Sequence, residues 1–219
     1  MNEMSKKQYE VLKRASLFLE KHNREPRVAE LLLQHHLGLS RTEFFLNMRE
    51  DVPDAVYEAF RIDVEKHALT GVPLQHLTGY EEFYGRRFAV NKHVLIPRPE
   101  TEELVQHVVE EAKRKTDGTI QIVDVGTGSG IIAITLALEL SDAVINATDI
   151  SLEALEVAKE NAANLGAKVN FYQGDFLEPL IHQQITVDIL VSNPPYIAES
   201  ERKDLSDTVK YFDPEIALF

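Results

Sequence analysis

Residues 120–140 read "IQIVDVGTGSGIIAITLALEL", and the order of textures in this stretch decides the architecture. The run "IQIVDVG" (120–126) reads as a strand. Three glycines follow at alternate positions, and then an apolar stretch predicts a helix from about Ser129 to Leu140. Strand, glycine turn and helix together form the opening unit of a parallel α/β sheet. Gly126, Gly128 and Gly130 allow the backbone to turn tightly and to approach a ligand closely. A dinucleotide fingerprint would place its third glycine at position 131, where Ile131 stands. The pattern is instead D-x-G-x-G-x-G, with Asp124 ending the strand. A carboxylate there suits a ligand carrying positive charge, whereas a pyrophosphate is drawn to a bare helix N-terminus.

Downstream the alternation continues. "AVINATDI" (143–150) predicts a second strand, Ser151 caps a helix ending at Gly166, and "KVNFYQGD" (168–175) predicts a third strand. "VDILVSN" (187–193) predicts a fourth, which runs into Pro194, Pro195 and Tyr196. Strands alternating with helices imply a parallel sheet covered on both faces, whose ligands bind at the carboxyl ends of the strands. Asp149 ends the second strand 19 residues after Gly130, a spacing that suits an acid accepting both ribose hydroxyls of an adenosine. Phe176 follows the third strand, where its ring can lie against an adenine. Each feature has a plainer reading. A glycine loop can be only a tight turn, Asp149 can cap the next helix as Ser151 does, and "NPPY" can be a stiff loop. Their convergence on adjacent strand ends outweighs the plainer readings.

Upstream, residues 1–76 read as short helices. Val11, Leu12, Ala15, Phe18 and Leu19 recur at helical spacing over residues 5–21, and Pro26 suits the first turn of a second helix. "SRTE" (40–43) is a capping-box pattern, and Pro53 starts a fourth helix with Val56, Tyr57 and Phe60 inward. Residues 77–98 read as a linker and β-hairpin, with "EEFYGRRFAV" and "HVLIP" as its strands and Asn91-Lys92 near the turn. Thr101 is expected to cap a helix reaching about Lys115, inside a third region covering 99–219.

The chain of 219 residues has no cysteine, which excludes disulfides, zinc–thiolate sites and thiol catalysis and suits a cytoplasmic protein. Its eight histidines show no metal-ligand spacing, so no metal is expected. The most apolar stretch, Ile131–Leu138, is much shorter than the roughly 20 residues of a membrane span, and "MNEMSKKQYE" does not read as a signal peptide. The net charge of −13 is uneven: residues 1–80 carry 11 basic against 12 acidic side chains, and residues 81–219 carry 12 against 24. An acidic body repels phosphate backbones, so direct nucleic-acid binding is not expected.

"DVGTGSG", "ATDIS", "GDF" and "SNPPYI", in that order, resemble the class I S-adenosylmethionine-dependent methyltransferases. The Asn-Pro-Pro-Tyr tetrad narrows the likeness to enzymes that methylate amino groups on sp² carbon. "PLQHLTGYEEFYG" and "VLIPRPETEELV" narrow it again, to the peptide chain release factor N5-glutamine methyltransferases, the HemK/PrmC family. The resemblance spans essentially the whole chain and is specific from Pro73 onward. It implies a Rossmann-like α/β domain with a mostly parallel sheet, a small N-terminal helical domain that binds substrate or partner, and a linking hairpin. It implies S-adenosylmethionine as cofactor, and as substrate the glutamine of the Gly-Gly-Gln tip of class 1 release factors. Gly126, Thr127, Gly128, Ser129 and Gly130 would line the methionine end of the cofactor, Asp149 would hold the ribose and Phe176 the adenine. Asn193, Pro194, Pro195 and Tyr196 would hold the glutamine. Arg98–Glu102 matches a family motif without an assigned role. The family continues past the segment matching "DPEIALF", so its C-terminal strands are expected to be missing here, leaving the fourth strand with an open apolar edge.

The tetrad has a chemical logic. An amide nitrogen is a poor nucleophile because its lone pair is delocalised into the carbonyl. Asn193 can offer its side-chain oxygen to one N–H of the substrate amide, and the Pro194 carbonyl can take the other. Prolines pre-set the direction of that carbonyl, and Tyr196 supplies a flat wall. Two alternatives are a nucleic-acid amino methyltransferase of the adenine N6 type, which uses similar tetrads, and a shortened module that binds cofactor or partner without turnover.

Overall fold

The first helix, α1 (Gln8–Lys21), lacks a side-chain cap and starts instead on neighbouring chain. The Gln8 and Tyr9 amides donate to the carbonyls of Glu50 and Met48, at 2.9 and 3.0 Å. Val11, Ala15 and Leu19 form its buried stripe. They pack with residues of α2 (Arg27–Leu37), α3 (Arg41–Leu46) and α4 (Asp54–Thr70) in one core, in which Leu19, Leu32, Leu33 and Phe44 are fully enclosed. The capping box at Ser40 forms as the sequence predicts: the hydroxyl accepts from the Glu43 amide, and the Glu43 carboxylate accepts from the Ser40 amide. Pro26 and Pro53 each stand immediately before a helix. A fifth short helix, α5 (Leu74–Thr78), runs across the expected boundary at residue 76, and Leu74 and Leu77 pack against the same core.

The computed structural model describes residues 6–115, 118–195, 197–204 and 207–219. It divides into two compact units between Thr78 and Gly79, so the hairpin belongs to the second. Strands β1 (Tyr80–Phe83) and β2 (Arg86–Ala89) pair antiparallel from Tyr80↔Ala89 to Phe83↔Arg86. The turn is Tyr84-Gly85, with φ of 51° and 71°. Two positive φ values in a two-residue loop match the right-handed twist of the flanking strands. This corrects the predicted hairpin: both strands lie within "YEEFYGRRFA", and "HVLIP" is not a strand. Asn91 does turn the chain, but locally, its side-chain oxygen accepting from the His93 amide at 2.9 Å. Val94 and Ile96 are buried beyond it.

Helix α6 (Thr101–Arg114) buries Val105, Val108, Val109 and Ala112 along one face. Thr101 is not its cap. The preceding residue, Glu100, is already helical, and the Thr101, Glu102 and Glu103 amides donate back to the carbonyls of Arg98, Pro99 and Glu100. A turn therefore does what a cap would do, and Thr101 is buried.

Strands β3 (Gln121–Val125), β4 (Val144–Asp149), β5 (Asn170–Gln173) and β6 (Ile189–Ser192) form one parallel sheet in the order β5-β4-β3-β6. Helices α7 (Ile131–Glu139) and α8 (Leu152–Leu165) are the crossovers between β3 and β4 and between β4 and β5. α8 has the predicted Ser151 cap, with the hydroxyl accepting from the Ala154 amide at 3.1 Å. The first helix after the glycines starts at Ile131 rather than Ser129, because Gly130 sits at φ 81°, outside helical space. A Cβ on Gly130 would come within 2.8 Å of Ile134 Cδ1 and 3.0 Å of Ala158 Cβ, so this glycine also lets α7 and α8 pack closely. Further on are α9 (Glu178–His182), a 3-10 turn at Glu199–Asp204, α10 (Asp207–Phe212) and a second 3-10 turn at Glu215–Ala217. Among the described residues β6 pairs only with β3, and Leu190 on it is exposed. No helix among them is long and apolar enough to cross a membrane.

Candidate active site

Two loops leave neighbouring strands at one level. Val125, the last residue of β3, is in register with Thr148 of β4 and with Ser192, the last residue of β6. The next residue along β3 is Gly126, and the next along β6 is Asn193. The Ser192 hydroxyl donates to the Val125 carbonyl at 2.8 Å and fastens the two strand ends together. Both loops open into a cleft of about 260 Å³. Gly126, Gly128, Asp149, Phe176, Asn193, Pro194 and Pro195 line it, with Val94 and Leu95 past the hairpin and Ile216 and Ala217 near the C-terminal end. Tyr196 lies outside the described residues.

The glycine loop is held from below. The Gly126 and Thr127 amides both donate to the Thr148 carbonyl, at 2.9 and 3.0 Å. The Gly128 amide donates to Asp149 Oδ2 at 2.8 Å, and the Ser151 amide to Asp149 Oδ1 at 2.9 Å. Each carboxylate oxygen of Asp149 thus takes one backbone N–H and keeps a second lone pair for a ligand hydroxyl. Nothing lies within 4 Å of where a Cβ on Gly126 or Gly128 would stand, so these two cleft-lining glycines keep that space clear. Phe176 is 55% exposed at the cleft and has φ 47°. A bulky residue held at positive φ costs on the order of 1 kcal/mol or more, and such outliers gather at ligand sites.

Thr127, Ser129 and Gly130, predicted as cofactor contacts, do not line the cleft. Thr127 and Ser129 are buried, and the Thr127 hydroxyl donates to Asp124 Oδ2 at 2.6 Å. The Ala133 amide donates to the same oxygen at 3.2 Å. Asp124 is fully enclosed and does not line the cleft, which corrects the reading that it faces a positively charged ligand. It braces the glycine loop against the start of α7. Burial pushes its pKa up to about 6, and the Asp149 charge adds a smaller push, against hydrogen bonds from Thr127 and Ala133 that favour the charged form.

Two connections escape the sequence reading. Asn161 of α8, almost wholly buried, accepts from the Ala89 amide at 2.7 Å and donates to the carbonyls of Ala89 and Ser129 at 3.0 and 2.9 Å. It bonds the hairpin to the glycine loop. Its signal was an amide on the stripe Ala154, Leu155, Ala158, Ala162 that otherwise packs inward. Arg98 pairs with Asp213 at 3.2 Å, across 115 positions of chain.

Two family models match the chain: the PrmC N-terminal domain over residues 10–79 and the methyltransferase small domain over residues 100–209. The release factor glutamine methyltransferase of Bacillus subtilis (strain 168) is 50% identical over 212 residues, covering 96% of this chain and 73% of its own. That of Bacillus cereus is 47% identical over 211 residues, with 96% and 74% covered. That of Enterococcus faecalis is 43% identical over 216 residues, with 99% and 76% covered.

Proposed function

The chain belongs to the release factor glutamine methyltransferase family, and on that premise we propose that it methylates the side-chain amide nitrogen (N5) of the glutamine in the Gly-Gly-Gln motif of class 1 release factors. The observation that carries this reading is the register Val125↔Ser192, which sends the glycine loop and the Asn-Pro-Pro corner into one cleft. When bound, S-adenosylmethionine supplies a methyl group activated by a sulfonium. Gly126 and Gly128 would lie under its methionine end, Asp149 would accept from its ribose and Phe176 would cover its adenine. Thr127, Ser129 and Gly130 serve the same end from beneath, by fixing the loop.

Asn193 and Pro194 hold the substrate amide. With one N–H donated to the Asn193 side-chain oxygen and the other to the Pro194 carbonyl, the nitrogen can pyramidalise and aim its lone pair across the cleft. The same acceptors stabilise the positive charge that develops on nitrogen. The product nitrogen sheds its proton to solvent, so a strong base is not needed. Pro195 stiffens the corner, and the role of Tyr196 as a flat wall rests on the sequence. The helical unit we assign to gripping the release factor away from its glutamine tip, in the cytoplasm where translation ends.

Residues 81–219 carry 12 basic against 24 acidic side chains, which favours a protein substrate over DNA or RNA. Incubation with methyl-labelled cofactor and either a purified class 1 release factor, DNA or RNA tests this. The expected result is label on the release factor alone, in its Gly-Gly-Gln peptide. Label on nucleic acid, or cofactor binding with no transfer, overturns it.

A further inference from the structure

The stretch Ile96–Glu100 and the C-terminal segment meet beside the cleft. Asp213 has a side chain only 3% exposed, and its Oδ2 pairs with Arg98 Nη2 at 3.2 Å. Its other oxygen, Oδ1, is buried without a hydrogen-bond partner. Leaving a carboxylate half-satisfied indoors is costly, and the Arg98 charge, with a smaller contribution from the Ile96 amide, offsets that cost and keeps Asp213 seated. The turn Glu215–Ala217 follows directly and places Ile216 and Ala217 on the cleft wall. Leu218 is buried, and its carbonyl accepts from the Ile197 amide at 3.2 Å. Ile197 stands just past the Asn-Pro-Pro-Tyr corner. The corner is therefore tied on both sides: by Ser192 to Val125 before it, and by Ile197 to the C-terminal segment after it.

We propose that Arg98 and Asp213 form a latch that seats residues 213–218 as one wall of the cleft and so sets the position of the Asn193–Pro194 corner. Arg98 is a positioning residue here; among the residues that line the cleft neither it nor Asp213 is found. The proposal rests on the methyltransferase reading for its consequence in catalysis, but the latch itself is testable without cofactor or substrate. The Arg98 side chain is 43% exposed, so its replacement removes little packing. It donates through one nitrogen, so a lysine can stand in for it.

The test is hydrogen exchange on the full chain in four forms: wild type, Arg98→Ala, Arg98→Gln and Arg98→Lys. In the Ala and Gln variants the amides of Ile197, Ala217, Leu218 and Phe219 are expected to exchange about tenfold faster, with those of β3 and β4 unchanged. Titration with S-adenosylhomocysteine should show a loss of affinity of about the same factor in those two variants, and Arg98→Lys should stay within about threefold of wild type in both measurements. Exchange within about twofold of wild type in Arg98→Ala, or an Arg98→Lys as impaired as Arg98→Ala, overturns the latch. A wild-type chain that binds S-adenosylhomocysteine yet never labels a release factor would sink the proposed function and leave the exchange result to judge the latch.

Discussion

The two units bury different things. Among the described residues of the helical unit the buried polar side chains are Gln8 and His67: Gln8 donates to the Phe44 carbonyl at 2.7 Å, and His67 Nδ1 bonds the Val72 carbonyl at 2.7 Å. The second unit encloses Asp124, Thr127, Ser129, Thr148, Asn161 and Asp213 on and around one edge of its sheet. Three of them keep an enclosed oxygen with no hydrogen-bond partner: Asp124 Oδ1, Thr148 Oγ1 and Asp213 Oδ1. Packing accounts for the first unit. A fold that needed only stability would not place charged and hydroxyl groups indoors half-paired, so the second unit's burial marks where it gives up stability for a defined loop geometry.

The sharpest way to break this comparison is Asn193→Ala. It removes one acceptor of the substrate amide and should lower turnover about 10²-fold, about 3 kcal/mol, with cofactor affinity unchanged. Turnover near wild type would take Asn193 out of the mechanism. Asp124→Asn probes the buried acid. The folded-state pKa of Asp124 lies near 6 against an ordinary 3.8, so its stabilising contribution is complete below about pH 4 and is lost as pH rises through 6. The gap corresponds to about 3 kcal/mol between those limits. Denaturant unfolding of both forms from pH 4 to 8 should show wild type losing stability relative to Asp124→Asn as pH rises. Parallel curves would mean that Asp124 does not titrate from within the loop.

Removing residues 1–78 should raise the KM for whole release factor by about tenfold and leave the dissociation constant of S-adenosylhomocysteine unchanged, if the helical unit serves only to grip the protein substrate. Unchanged protein-substrate kinetics would end that assignment. The smallest effects come from a matched pair of helix caps. Ser40→Ala and Ser151→Ala should each cost about 1 kcal/mol of stability. Only Ser151→Ala should also weaken cofactor binding, because Ser151 lines the cleft and its hydroxyl cap fixes the turn whose backbone amide holds Asp149. Equal effects on cofactor binding would erase the distinction between the units.

What could be read in advance follows the range of the interaction. The caps at Ser40 and Ser151 and the strands leading to Gly126, Asp149 and Asn193 are set within a few residues, and each is legible. The hairpin turn was not, because Tyr84 has no turn preference, while Asn91-Lys92 carries turn residues that serve a different bend. Thr101 looked like a cap, but a preceding turn had already taken the free amides. At the site, Gly126, Gly128, Asp149, Phe176 and Asn193–Pro195 come together as the motif order suggests. Thr127, Ser129 and Gly130 look equivalent to their neighbours in the sequence, and only the fold shows that they point into the protein. Asn161 and the Arg98–Asp213 pair depend on partners 32 to 115 positions away, beyond any local pattern.

A structure of the full chain with S-adenosylhomocysteine and a Gly-Gly-Gln peptide would show whether cofactor and glutamine meet at the Asn193–Pro194 corner. The expected result is a glutamine nitrogen bonded to Asn193 and to the Pro194 carbonyl, facing the cofactor sulfur across a gap of one methyl group, with nitrogen about 3–3.5 Å from where that carbon would sit. A sulfur held away from the Asn193–Pro194 corner, or a glutamine bound outside the cleft over Gly126 and Gly128, would contradict it.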